Sequence, residues 1–347
     1  MAKVSEGTGG RSARDGRPRG RPKPRDSYDV LVVGGGPAGL SAALVLGRCR
    51  RRVIVVDSGR PRNAAALRSH GYLTRDGIGP HELLRLGREE VARYGVEVLD
   101  DEVVDARCPS PDGSPGPGAA AFEAETRSGR RLRSRKLLLA TGVRDVLPPV
   151  EGAERYYGRG VHHCPYCDAW EHRDARLAAY GAGGAAVGLA LSLRTWSDRV
   201  TACTDGRPVD AGDRARLRRN GIALRTEPVA RLDGDDEALG AIVFEGGRSI
   251  RCDALFFNTG QVQRSTLPGM LGCEYREEGQ VETHGKQHTC TPGLFMAGDA
   301  DGDVQFLIVA AAEGARAATA INRELQDEDR GEAGVRPNTS SRARAPR

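Results

Sequence analysis

The chain has 347 residues, of which 39% are hydrophobic, 29% are charged and 5% are aromatic. This length is sufficient for two domains of ordinary size. The longest apolar run, residues 306–312, is far shorter than the roughly 20 residues of a membrane-spanning helix, which excludes a helical membrane protein. Eight cysteines are too few for a disulfide-stabilised scaffold, and the lack of an apolar signal segment favours a cytoplasmic protein.

The net charge of +5 is concentrated at the N-terminus, where residues 1–26 contain eight Lys or Arg and three acidic residues. This stretch has no apolar periodicity, so we predict a disordered basic tail there and a second disordered tail over residues 327–347. A solvated extension is the ordinary interpretation of such a tail, and contact with nucleic acid or a membrane is the alternative. The remaining chain is near neutral, so nucleic acid is not an expected partner.

Residues 28–39 predict the first nucleotide-binding unit. A strand of β-branched residues leads into Gly34-x-Gly36-x-x-Gly39, and an Ala-rich and Leu-rich helix and a second strand follow. In this pattern Gly34 makes the tight turn, Gly36 lets the backbone approach a pyrophosphate, and Gly39 lets the helix pack closely. The helix N-terminus holds the anion. Asp57, at the end of the second strand, is placed to accept hydrogen bonds from a ribose.

A second unit of the same kind starts with the strand 177–181, which leads into Gly181-x-Gly183-x-x-Ala186 and a helical segment. Two dinucleotide units in one chain suggest electron transfer between two nucleotides. Near the C-terminal end, a further strand stops at Gly298-Asp299 and is followed by a helix. An acid in that position suits the ribityl chain of a flavin, and the helix N-terminus would face the flavin ring.

One close cysteine pair, Cys164-Pro-Tyr-Cys167, is followed directly by Asp168. Such a pair can be a redox disulfide, half of a zinc site, or a structural bridge. Zinc needs about four ligands, and the sequence has no second close pair, so we predict no metal site. We favour the redox disulfide because two nucleotide units need a group that accepts electrons. The neighbouring histidines, His162, His163 and His172, are either acid–base groups or ordinary buried or exposed side chains.

Together these motifs resemble the thioredoxin-reductase-like pyridine nucleotide-disulfide oxidoreductases, the low-molecular-weight flavoprotein branch. The resemblance covers about residues 27–326. It implies an α/β fold with two Rossmann-like dinucleotide-binding domains, the second inserted in the first. Residues 27–150 and 258–326 would form a discontinuous FAD-binding domain, and residues 151–257 an NAD(P)-binding domain that carries the redox disulfide.

The resemblance also implies noncovalent FAD, NAD(P)H, a homodimer, and a thioredoxin-like protein or a small-molecule disulfide or dithiol as partner. Its FAD-binding positions fall on Gly34, Gly36, Pro37, Ala38, Gly39, Asp57, Thr141, Gly142, Gly298, Asp299 and Gln305. Its NAD(P)-binding positions fall on Gly181, Gly183 and Ala186.

By the same resemblance, hydride passes from the nicotinamide to the flavin, and the reduced flavin then reduces the disulfide. Cys167 would face the flavin, and Cys164 would be the thiol that exchanges with the substrate. Asp168 would protonate or deprotonate the exchanging thiol, because thiolate reactivity needs a lowered pKa or a nearby base.

The sequence departs from the classical members of that family at three places. Pro165-Tyr166 stands between the cysteines, Ala169-Trp170 follows the acid, and Thr204-Asp205-Gly206 replaces the segment that grips the NADPH 2′-phosphate. Asp205 would repel that phosphate, so we expect nicotinamide reduction that favours NADH or is indiscriminate and slow. The Cys-Pro-Tyr-Cys form and the segment Trp196-Ser-Asp resemble a divergent subgroup that includes oxygen-dependent dithiol oxidases of natural-product pathways, and this is the alternative function. A non-catalytic flavin-binding protein is the third hypothesis.

Overall fold

The computed structural model describes residues 26–108, 121–236, 238–302 and 304–332. The strands are β1 (Ser27–Val33), β2 (Val53–Asp57), β3 (Glu97–Asp100), β4 (Val103–Arg107), β5 (Phe122–Thr126), β6 (Arg131–Leu139), β7 (Val143–Asp145), β8 (Val161–His162), β9 (Arg176–Gly181), β10 (Arg199–Cys203), β11 (Ala223–Arg225), β12 (Val229–Gly234), β13 (Leu239–Phe244), β14 (Ser249–Arg251), β15 (Ala254–Asn258), β16 (Gln261–Gln263) and β17 (Leu294–Met296). The helices are α1 (Pro37–Arg48), α2 (Pro80–Ala92), α3 (Ala153–Tyr156), α4 (Pro165–Asp168), α5 (Gly184–Leu193), α6 (Ala211–Arg219), α7 (Leu267–Met270) and α8 (Leu307–Asp329).

The first sheet has the strand order β3-β2-β1-β6-β5-β4, and β17 pairs with β6. Strands β3, β2, β1, β6 and β17 are parallel to one another, whereas β5 pairs antiparallel with β6 and with the edge strand β4. The apolar residues of β1 and β2 are almost completely buried, as expected for parallel strands that are covered on both faces. Because β17 comes from the end of the chain, this sheet is built from two distant segments.

The second sheet is formed entirely from residues between those two segments. Its order is β11-β10-β9-β15-β8, with parallel pairing throughout. The residues between β11 and β15 form a smaller antiparallel sheet, β12-β13-β14. The predicted fold class, two Rossmann-like units with the second inserted in the first, is confirmed.

The chain leaves the first unit and returns to it along one short ribbon. Strand β7 follows β6, strand β16 follows β15, and the two pair antiparallel with Gln261 opposite Asp145. The insert is therefore attached through two adjacent chain segments. This attachment fixes where the insert meets the first sheet.

The last helix extends beyond the predicted folded region. We expected the second tail to begin at residue 327, but α8 continues to Asp329. The reason is electrostatic: Glu328 and Asp329 lie 2.7 and 2.8 Å from the nitrogens of the buried Arg135. Residues 333–347 of that tail, and residues 1–25 of the basic tail, lie outside the described residues. Among the described helices, none is long and apolar enough to cross a bilayer.

Helices α1 and α8 pack closely against each other over the first sheet. The contact depends on Gly314, where a Cβ atom would lie 2.0 Å from the carbonyl oxygen of Ala38. Ala38 belongs to the first turn of α1, directly after the glycine loop. Gly314 therefore determines how close α8 comes to the nucleotide-binding turn.

We predict that Gly314→Ala lowers the free energy of unfolding by about 1–3 kcal/mol, because the added methyl group overpacks the contact between α1 and α8. The matched control is Gly188→Ala in α5, where a Cβ atom would meet nothing within 4 Å. That variant should be neutral or stabilised by up to about 1 kcal/mol, since Ala favours a helix more than Gly. Urea unfolding measures both, and equal effects would contradict the packing argument.

Candidate active site

A cavity of about 480 Å³ lies where the glycine loop meets the ends of β2 and β6 and the start of α8. It brings together most of the predicted FAD positions with one cysteine and the acid of the redox motif. These lining residues are Gly34, Gly36, Pro37, Ala38, Asp57, Thr141, Gly142, Gly298, Asp299, Gln305, Cys167 and Asp168. Gly39 lies beneath the loop, where its Cβ atom would be 1.9 Å from the Gly34 carbonyl oxygen.

The glycine loop forms an open cradle at the N-terminus of α1. Gly34 has φ +108°, and a Cβ atom there would lie 2.2 Å from the Ala140 carbonyl oxygen, so the close approach to β6 requires glycine. At Gly36 a Cβ atom would meet nothing within 4 Å. Gly36 also caps α1 without a side-chain hydrogen bond, so the first amides of the helix are available to an anion.

The cavity wall beside this cradle contains a polar atom without a partner. The Oγ1 atom of Thr141 is buried and has no hydrogen-bond partner in the structure. Because a buried unpaired hydroxyl costs free energy, a native protein normally supplies a ligand or water for it. The open cradle and this hydroxyl fit a bound FAD, whose pyrophosphate and ring carry the complementary groups.

Cys164 and Cys167 form a disulfide, with Cα atoms 5.3 Å apart. Helix α4 begins directly after Cys164, and Cys167 lies on the cavity wall. The six other cysteines, Cys49, Cys108, Cys203, Cys252, Cys273 and Cys290, are free thiols. Burial raises the pKa of Cys203 to about 12, which keeps that thiol protonated and unreactive.

A half-buried arginine that the sequence did not single out organises the cavity. Arg62 donates to both oxygens of Asp145, at 2.9 and 2.6 Å, and to Asp299 Oδ2 at 2.8 Å. It also donates to Gln305 Oε1 at 2.8 Å. The side chains of Arg62 and Asp145 are 13% and 3% exposed, so this is an ion pair removed from water. Burial alone would raise the pKa of Asp145, but the hydrogen bond from Arg62, the charges of His163 and Arg62, and the hydrogen bond from Tyr157 together outweigh it, and the pKa is lowered.

The histidines around the redox motif belong to two separate networks. His162 Nε2 is 3.1 Å from His172 Nε2, and His162 Nδ1 is 3.5 Å from Asp168 Oδ1. His163 Nδ1 instead lies 3.3 Å from the hydroxyl of Tyr157, which donates to Asp145 at 3.0 Å. Burial, together with the charge of His162, lowers the pKa of His172 to about 4, so that ring is neutral at neutral pH.

The second glycine turn lies at the end of β9 in the insert. Gly183 has φ +52°, and a Cβ atom at Gly181 would be 3.2 Å from the Ala186 amide nitrogen. Asp205, just after β10, is held by two hydrogen bonds: the hydroxyl of Tyr180 donates to it at 2.6 Å and the Val229 amide at 2.9 Å. Both carboxylate oxygens of Asp205 therefore accept a hydrogen bond from within the insert.

Aromatic side chains surround the outer side of the disulfide. Tyr166, between the two cysteines, is 72% exposed. Its ring makes edge contacts with Trp196 and Phe306, at centroid distances of 5.6 and 6.2 Å. Trp170 is also exposed and stacks under Arg173. No group of three or more His, Cys, Asp or Glu side chains within the described residues could hold a metal ion.

The sequence profile of the pyridine nucleotide-disulphide oxidoreductases matches residues 28–314 of this chain. The chain belongs to that family. Members of its thioredoxin-reductase-like branch use FAD with NAD(P)H, and this chain is accordingly an FAD-dependent disulfide oxidoreductase of that type. The predicted resemblance is confirmed.

Individual relatives agree with this assignment. The thioredoxin reductase tcpT of Claviceps purpurea is 32% identical over 286 residues, which cover 78% of this chain and 86% of tcpT. Among solved structures, HlmI is 36% identical with a TM-score of 0.84, covering 88% of this chain and 95% of HlmI. A thioredoxin reductase TrxB described as putative, from Bacillus anthracis, is 30% identical with a TM-score of 0.81, covering 87% and 99% of the two chains.

We predict that Arg62→Met lowers the free energy of unfolding by about 3–5 kcal/mol, because it leaves the carboxylate of Asp145 buried without its cation. The matched control is Arg60→Met: Arg60 is 63% exposed and pairs with Glu102 at 2.7 Å, so its loss should cost less than about 1 kcal/mol. Urea unfolding at a fixed FAD concentration measures both.

The pH dependence gives this prediction a second test. In the wild type the lowered pKa of Asp145 stabilises the fold above the unfolded value of about 3.9, and this contribution is lost as the pH falls through the folded value. In Arg62→Met, Asp145 is buried without the cation, which raises its pKa. As the pH falls, the free energy of unfolding of the variant should therefore approach that of the wild type. A difference in unfolding free energy that is constant with pH would contradict the ion-pair account.

Proposed function

We propose that the Cys164–Cys167 disulfide is the redox-active group, with Cys167 facing the bound flavin and Cys164 exchanging with the substrate. The observation that carries this proposal is the position of Cys167 on the wall of the cavity that also holds the predicted FAD positions. Cys164 is only half-buried and the exposed ring of Tyr166 lies between the two cysteines, so a substrate can reach the disulfide from the outside. Asp168 follows Cys167 directly, borders the same cavity and serves the exchanging thiol as its acid and base.

FAD, when bound, supplies the electron pair that opens the disulfide. The cradle of Gly34, Gly36 and Gly39, with Pro37 and Ala38 at the start of α1, would hold its pyrophosphate. Asp57 would accept hydrogen bonds from ribose hydroxyls. Its Oδ2 atom is already paired with Arg88 at 2.5 Å, but the remaining oxygen lone pairs stay available. The remaining groups near the flavin would be Thr141, Gly142, Gly298, Asp299 and Gln305.

Nicotinamide binding is proposed for the insert, at the turn formed by Gly181, Gly183 and Ala186. The positive φ of Gly183 gives this turn the tight shape that a nucleotide loop needs. Asp205 stands at the neighbouring strand end, held by two hydrogen bonds. Since a 2′-phosphate is bound mainly by arginine, we infer that the enzyme accepts NADH at least as well as NADPH.

The partner is a thioredoxin-like protein or a small-molecule disulfide or dithiol, as the names of the related thioredoxin reductases suggest. We further propose a cytoplasmic homodimer. The six free cysteines, two of them exposed, suit a reducing compartment. The alternative of an oxygen-dependent dithiol oxidase is not favoured over the reductase by the comparisons.

The cysteine assignment predicts opposite spectra for two variants. Cys164→Ser should leave Cys167 as a thiolate and show the long-wavelength absorption that a thiolate in contact with the flavin produces. Cys167→Ser should lack this band, and both should lose turnover with disulfides. Cys290→Ser, at an exposed free cysteine, is the control that should retain activity. If the absorption band appears in Cys167→Ser and not in Cys164→Ser, the two cysteines have exchanged roles. Full activity of both variants would show that the disulfide is only structural.

The nicotinamide assignment predicts that NADH bleaches the flavin at least as fast as NADPH. Rapid mixing in the absence of oxygen measures both rates directly. A much faster reaction with NADPH would refute the inference from Asp205 and require another basic group, such as Arg207 or Arg214, to hold the phosphate. If a dithiol bleaches the flavin and neither nucleotide does, the enzyme is a dithiol oxidase and not a reductase.

A further inference from the structure

We propose that His162 and His172 form a proton relay that delivers solvent protons to Asp168 during thiol exchange. The proposal rests on the proposed redox role of the Cys164–Cys167 pair and identifies how that pair exchanges protons with water. His162 lies at the end of β8 and is 5% exposed. His172 is only half-buried, so it can exchange protons with water.

The three side chains form a continuous line from the redox motif to the surface. The Nδ1 atom of His162 is 3.5 Å from Asp168 Oδ1, and its Nε2 atom is 3.1 Å from His172 Nε2. The first distance is long for a hydrogen bond, as catalytic contacts often are before substrate binds. The ring of His162 stacks on Phe256 at a centroid distance of 5.4 Å, which holds it between its two partners.

The partners determine where the protons lie on the two rings. A carboxylate only accepts hydrogen bonds, so His162 carries its proton on Nδ1 and leaves Nε2 as an acceptor. His172 must then donate from Nε2. In this arrangement each proton points towards Asp168, so a proton taken up by His172 from water can displace the next two in sequence.

Other charged groups near the relay do not interrupt it. Asp253 acts on His172, but its carboxylate is already bonded to Arg176 at 2.6 Å. His163, next in sequence to His162, is directed to Tyr157 and Asp145 instead. Asp168 is therefore the group that receives the proton at the inner end of the relay.

The relay supplies the proton that disulfide reduction consumes. When the Cys164 thiolate attacks a substrate disulfide, a new S–S bond forms and the substrate S–S bond breaks, which releases a thiolate. Asp168, protonated through His162, passes its proton to that leaving sulfur, while His172 takes a proton from water. The Cys167 thiolate then attacks the mixed disulfide, restores the Cys164–Cys167 bond and releases the second substrate sulfur. The electron pair comes from the reduced enzyme, so no further reactant is needed.

A test follows from the basicity of the leaving sulfur. A basic leaving thiolate needs protonation, whereas a weakly basic one departs without it. We would reduce the FAD-loaded enzyme chemically without oxygen and mix it with bis(2-hydroxyethyl) disulfide or with 4,4′-dithiodipyridine. The first releases a basic thiolate and the second a weakly basic one. Return of the oxidised-flavin absorbance reports the rate, independently of any nicotinamide.

We expect His172→Gln and His162→Gln to slow the reaction with bis(2-hydroxyethyl) disulfide by about 100-fold or more, the usual contribution of general acid catalysis. The rate with 4,4′-dithiodipyridine should stay within about two-fold of wild type. His284→Gln, at an exposed histidine in another part of the chain, should leave both rates unchanged. His172 is half-buried, so its variant is the one more certain to fold.

Equal losses with the two disulfides would mean that the histidines only support the local structure, and this result would overturn the relay. An unchanged rate with both disulfides would overturn it as well. If the reduced wild-type enzyme reacts with neither disulfide, the proposed redox function is wrong, and the relay that depends on it is wrong as well. The three outcomes are therefore distinguishable from one another.

Discussion

The buried ion pair between Arg62 and Asp145 is the interaction on which the site depends. Arg62 lies in the segment after β2, Asp145 lies in the ribbon that leads to the insert, and Asp299 follows β17. One guanidinium thus joins three segments that are up to 237 residues apart in sequence. Because these segments border the cavity that contains the predicted FAD positions, loss of the arginine would remove the cation of two acids and loosen the walls of the cavity at once.

The same network ties the insert to the first unit. The hydroxyl of Tyr157, in the insert, donates to Asp145. Next to it, a Cβ atom at Gly158 would lie 2.5 Å from the carbonyl oxygen of Ala65, so the backbones of the two units meet closely there. These contacts hold the insert against the first unit, where Cys167 of helix α4 borders the cavity.

The sequence predicted the parts of the site that depend on local pattern. Gly34, Gly36 and Asp57 stand at fixed distances from an apolar strand, and such spacing can be recognised without the fold. Arg62 and Asp145 could not be found in this way, because a single polar residue in a loop has no periodicity and its partners are set by tertiary contacts. The end of α8 was missed for a similar reason, since its last turn is held by the distant Arg135. The pairing of His162 with His172 also required the fold, although both residues had been noted.

The central claim is that the flavin and the Cys164–Cys167 disulfide are two redox centres of one cavity. Reductive titration of the FAD-loaded protein with dithionite, without oxygen, tests it most directly. The account predicts uptake of about two electron pairs per chain, one for each centre, and about one pair in Cys164→Ser. Full reduction of the wild type by about one pair would contradict the claim.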